Sequence, residues 1–105
     1  MNTPEIRHII KETVQSFIPG AKVLLLGSRA REQENQYSDY DVLVVTPHTL
    51  APREKMDCET KIGKTLVHLI RAPFDVIVQS KKEIADRRNA KGHIIYYALK
   101  DAIEI

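Results

Sequence analysis

Two short apolar stretches, DYDVLVV at 39–45 and FDVIVQ at 74–79, carry aspartates at their starts, and an earlier one, AKVLLLG at 21–27, runs into Gly27-Ser28. Side chains alternate faces along a strand, so Asp39 and Asp41 point the same way and Tyr40 the other, with the aspartate Cβ atoms about 6.5–7 Å apart. Two carboxylates held side by side repel unless they share positive charge. Magnesium suits them, because it takes oxygen ligands, uses one or two carboxylates and leaves other positions to water or phosphate. If the strand of Asp75 lies beside DYDVLVV, Asp75 joins the pair and completes a site for two ions ~3.5–4 Å apart. Gly27 lets backbone approach a ligand closely, and the following N–H groups, the Ser28 hydroxyl and a helical turn form an anion-binding corner. Arg29 and Arg31 lie where they add charge to phosphate recognition. These are the parts of a nucleotidyl transfer. One ion lowers the pKa of the attacking hydroxyl, the other stabilises the departing pyrophosphate, and the protein aligns both for in-line displacement. Taken singly, each feature is commoner as a turn or a solvated strand end; their occurrence together, in this order, singles out a metal–nucleotide site.

The elements that must position these residues follow from periodicity. Thr3-Pro4 reads as an N-cap followed by proline in the first turn, and Ile6, Ile9, Ile10, Val14 and Phe17 recur at helical spacing until Pro19-Gly20. AKVLLLG is then a buried strand, 28–38 a polar connection, and DYDVLVV a second strand closed by Thr46-Pro47. From Thr49 to about Ala72 the pattern predicts the longest helix, with Pro52 in its first turn and Met56, Thr60, Ile62, Leu66, Leu69 and Ile70 on its buried face. Gly63 weakens that helix slightly or lets another backbone approach. Pro73 ends it, and FDVIVQ is a third strand. Ser80 and Glu83 have the spacing of a capping box opening another helix. Gly92 interrupts it, and HIIYYALKDAIEI, at 93–105, reads as helical with Ile95, Leu99 and Ile103 on one side. The fold class is therefore α/β (α+β): one domain over 1–105, a small mixed β-sheet covered by helices.

Composition sets the outer limits. Of 105 residues, 29% are charged and 43% hydrophobic, an ordinary globular balance, and a formal net charge of +2 argues for neither nucleic acid nor membrane. No apolar run is long enough to span a bilayer, and charges scattered through MNTPEIRHIIKE do not make a signal peptide. The single cysteine, Cys58, excludes an internal disulfide, so a cytoplasmic location is the expectation.

GSRAREQENQYSDYDVLVV resembles the signature of the DNA polymerase beta-like nucleotidyltransferase superfamily, with Gly-Ser, ten residues, and Asp-x-Asp; the third carboxylate expected one strand later matches Asp75. The resemblance is best from Leu24 to Gln79 and is nearest to the minimal nucleotidyltransferases (MNT), the MntA-type antitoxins of HEPN/MNT toxin–antitoxin pairs. It implies a polymerase beta-like core and magnesium-dependent transfer of AMP from ATP to a tyrosine hydroxyl of a cognate HEPN-family RNase toxin. On that pattern Gly27, Ser28 and Arg29 bind the nucleotide; Asp39, Asp41 and Asp75 bind magnesium; and Asp75 assists deprotonation of the acceptor hydroxyl. Many relatives have a glycine shortly after Ser-x-Ala-Arg, whereas here Glu32 follows Arg31, which leaves the aim of Arg31 unassigned. Two alternatives stay open: a non-catalytic antitoxin that occludes its partner, and transfer to a small molecule or an RNA end.

The remaining candidates carry less. Tyr96 and Tyr97 are read as one packing and one solvent-facing side chain, and His93 as a solvated helix-start histidine. The Arg53-Glu54-Lys55 and Lys81-Lys82-Glu83 clusters are solvated helix faces, with no aromatic platform or basic stripe for direct nucleic-acid binding.

Overall fold

The structure, a computed structural model, describes residues 2–26, 39–87 and 99–105. Among these, three helices and four strands run in the order α1 (Thr3–Phe17), β1 (Lys22–Leu26), β2 (Tyr40–Thr46), α2 (Pro52–Ile70), β3 (Phe74–Ser80), α3 (Lys81–Arg87) and β4 (Ile103–Glu104). The four strands form one mixed sheet in the order β3-β2-β1-β4. β1 pairs antiparallel with β2 and β4, while β2 and β3 are parallel. A parallel pair cannot be joined by a tight turn, and α2 provides the crossover.

α1 is capped one residue earlier than the sequence pattern predicts. The Asn2 side chain accepts from the Glu5 N–H at 3.0 Å, with Pro4 in the first turn. Gly20, at φ +85°, turns the chain into β1, a conformation glycine adopts without strain. Together α1 and α2 cover one sheet face: Ile10, Val14, Ile62 and Leu66 pack on Val23, Leu25, Val42, Val44 and Val78. The opposite face holds a smaller core of Leu26, Leu43 and Val45, closed over by Ile77, Ile84 and Leu99.

α2 begins at Pro52 rather than Thr49, because Thr49 is turned instead toward β3, its hydroxyl 2.8 Å from that of Ser80. Its buried positions are Ile62 and Leu66, with Cys58 and Ile70 partly buried against the same core. Met56, expected on that face, is 65% exposed; it lies about 120° around the helix from Ile62. Thr60 is exposed, as is Leu69 in the last turn. The helix ends on Arg71 in the left-handed region, φ 63°, whose N–H donates to Val67 O.

The capping box at Ser80 is present in both directions: Ser80 N–H donates to Glu83 Oε1 at 2.9 Å, and Glu83 N–H to Ser80 Oγ at 3.1 Å. Glu83 also accepts from the Lys55 ammonium, which ties α3 to the first turn of α2. The chain end departs from expectation. Instead of continuing a helix, Ile103 and Glu104 pair with Leu25 and Leu24, and Ile105 N–H donates to Val23 O at 2.9 Å. Asp101 sits in a bend, and the edge of β1 offers the tail backbone partners that a last helical turn would leave unfilled. Gly92 and Ile95 lie outside the described residues. Among the described residues no helix is long and apolar enough to cross a membrane.

Candidate functional site

β2 and β3 start together. Tyr40 stands opposite Phe74, and Asp41 opposite Asp75. Tyr40 N–H donates to Pro73 O at 3.0 Å, joining the chain just after Asp39 to the chain just before Phe74. The Tyr40 and Phe74 rings stack on the helix-covered face, centroids 4.8 Å apart and planes within 11°. Alternation then fixes Asp41 and Asp75 side by side on the other face, one strand spacing or ~4.8 Å apart at the backbone. The condition that the sequence left open, that the strand of Asp75 be the neighbour of DYDVLVV, is met in register.

Asp39 is the last residue before β2 and is exposed, as is Asp75, whereas Asp41 between them is half-buried. The Asp41 carboxyl is pushed above its ordinary value first by burial, then by the negative charge of Asp75, then by that of Asp39. All three carboxylates therefore act on one locus. They form an all-oxygen donor set without nitrogen or sulfur, the chemistry of a hard divalent cation such as magnesium, and each remaining negative charge raises the gain from binding one. Among the described residues no three such side chains already converge tightly enough to hold an ion as they stand. The fit to magnesium is thus in donor type, charge and register.

Leu26, the residue before Gly27, stands opposite Asp41, so β1 ends beside the carboxylates. Gly27, Ser28, Arg29 and Arg31 themselves lie outside the described residues, as do His93, Tyr96 and Tyr97. A feature not singled out from sequence adjoins the site. A cavity of ≈ 800 Å³ runs between α2 and β3 and reaches Asp75, with Gly63, Lys64, His68 and Arg71 along its helical wall. The spacing of those three basic residues, i, i+4 and i+7, was the signal available in the sequence.

The sequence model of the family described as "Nucleotidyltransferase domain" matches residues 6–97. No curated protein matches the chain. Among solved structures, a toxin–antitoxin complex with AMP-PNP is similar at 19% identity and TM-score 0.58, over 69% of this chain and 56% of that one. A tri-AMPylated Shewanella oneidensis HEPN toxin in complex with MNT antitoxin is similar at 17% identity and TM-score 0.53, over 71% of this chain and 54% of that one. An MntA–HpeT toxin–antitoxin variant with two Asp-to-Glu replacements is similar at 14% identity and TM-score 0.66, over 93% and 70%. The chain spans a little over half the length of the first two, and at these identities the likeness is one of fold.

Proposed function

The chain belongs to the nucleotidyltransferase domain family, and from that premise we propose that residues 1–105 act as one domain transferring AMP from ATP to a tyrosine hydroxyl of a HEPN-family RNase toxin, in the cytoplasm, as its antitoxin. The observation that carries this reading is the register of Asp41 with Asp75, with the Asp39 charge felt at the same carboxyl. Asp39, Asp41 and Asp75 would hold two magnesium ions, which would supply charge neutralisation for the triphosphate and acidify the acceptor hydroxyl. Asp75, exposed on β3, would take the acceptor proton. Gly27, Ser28 and Arg29, following the strand that ends beside Asp41, would hold the triphosphate. The HEPN toxin as acceptor is supported by the fold shared with a structure of an AMPylated HEPN toxin bound to MNT antitoxin.

The test combines the purified chain with a HEPN protein encoded beside it, ATP and Mg²⁺, and follows the partner by intact mass. Addition of AMP is expected, and replacing both Asp39 and Asp41 by Asn should slow it by at least about 100-fold with the fold intact. A complex that forms but gains no AMP mass rules out the protein-modifying activity. Neutralisation that survives the double variant points to occlusion instead.

A further inference from the structure

β3 is an edge strand, so its outward N–H and C=O groups are open to another chain unless the fold covers them. Two are covered. Val78 N–H donates to Glu59 Oε2 on α2 at 2.9 Å, and Ser80 N–H to Glu83 Oε1 at 2.9 Å. Backbone direction alternates along a strand, so Val76 presents its own groups to the same side as Val78. α2 lies over this edge, and one turn after Glu59 it carries Gly63, where a Cβ would sit 3.8 Å from Val76 Cγ2. Glu59 seals the edge at Val78; Gly63 has no side chain with which to seal it at Val76. The cavity opens there, on the half of β3 that leads to Asp75. Its rim carries the exposed cations Lys64 and Arg71 with the His68 imidazole between them, and among the described residues none of the three is in an ion pair.

We infer that this groove seats the acceptor, an acidic polypeptide segment that adds to the uncovered start of the β3 edge and brings its hydroxyl to Asp75. The inference rests on the nucleotidyl-transfer reading above. Strand addition supplies main-chain hydrogen bonds along Phe74–Val76, and acidic flanks of the segment meet Lys64, His68 and Arg71. In the step served, the acceptor oxygen bonds to the α-phosphorus of ATP and the bond from that phosphorus to pyrophosphate breaks. The hydroxyl proton passes to Asp75 and then to water. A nucleic acid suits the groove less well. It has no strand backbone to pair with β3, and the Phe74 ring that could stack on a base is already stacked on Tyr40.

The experiment uses short fluorescent peptides, each with one tyrosine flanked by Asp and Glu, by Ser or by Lys, titrated with the full chain by anisotropy. The acidic peptide is expected to bind about tenfold more tightly than the neutral one, and Lys64→Glu/Arg71→Glu to remove that advantage. Gly63→Glu should weaken acidic-peptide binding to a similar extent while keeping the fold, since glutamate is the better helix former and the 3.8 Å clearance accepts its Cβ. ATP affinity should be unchanged in both variants. Binding that ignores the flanks, or variants that keep wild-type affinity, overturns the inference. So does a fall in ATP affinity, which would give the groove to the nucleotide, or a selective loss of single-stranded RNA binding, which would give it to nucleic acid. An acidic peptide that binds as expected but never gains AMP mass upholds the docking site and counts against the transfer reading alone.

Discussion

The parallel strands β2 and β3 have acidic side chains at both ends, and the two ends treat them oppositely. Where the strands finish, Glu83 lies in a completed network. Burial raises its carboxyl, but hydrogen bonds from Lys55 and Ser80 and the Lys55 charge together outweigh that and hold it below the ordinary value. Where the strands start, Asp41 is raised by burial and raised further by Asp75 and Asp39. One end matches negative charge and anchors α3 to α2; the other gathers negative charge on a half-buried carboxyl. A fold of this size, stable by only ~5–15 kcal/mol, keeps such unmatched charge where a cation or ligand is to supply the match.

The largest expected effect separating the two ends is the response to magnesium. At a free concentration about a hundred times the dissociation constant, Mg²⁺ should stabilise the chain by about 2.7 kcal/mol, on the order of ten degrees or more in thermal midpoint. Differential scanning calorimetry of the wild type and of Asp41→Asn reads this directly, and a wild-type midpoint indifferent to magnesium would remove the distinction between the ends. Next in size is Glu83→Ala, which deletes both the cap and the Lys55 pair and should cost about 1–2 kcal/mol, seen as a lower urea midpoint. The sign of its pH dependence follows from a lowered carboxyl. The stability Glu83 contributes is present above its ordinary value and fades as pH falls through the folded value, so the gap between wild type and variant should narrow in acid.

The smallest effect runs the other way. With the Asp41 carboxyl raised, the folded state favours the protonated form, so this site's contribution is full below the ordinary value of 3.8 and is lost as pH rises through the folded value. Metal-free Asp41→Asn should therefore melt higher than wild type at neutral pH, by less than about 1 kcal/mol because solvent screens a half-exposed group. The two melting curves should meet below pH 3.8. An Asn variant less stable than wild type at neutral pH would mean that Asp41 anchors the fold, as Glu83 does.

Much of the site is a local property and was legible as such. Alternation along β2 puts Asp41 on the face opposite Tyr40, and Ser80-x-x-Glu83 closes its capping box within a single turn, whereas Asp39 stands just before the strand. Patterns failed where a local signal competed with a distant partner. Ile95, Leu99 and Ile103 have helical spacing, yet the last residues pair with β1, because the open edge of a strand far away in sequence accepts their backbone. Met56 shares the apolar character of the α2 core residues but not their azimuth, and it faces solvent.

The sequence by itself determined which groups are available: three aspartates and a Gly-Ser pair at the ends of short apolar runs. Only the tertiary structure decided that Asp75 stands opposite Asp41, since parallel register depends on how the α2 crossover returns the chain to the sheet and no local spacing encodes it. It alone also placed Gly63 over Val76, so that among the described residues no side chain closes the half of the β3 edge that leads to Asp75.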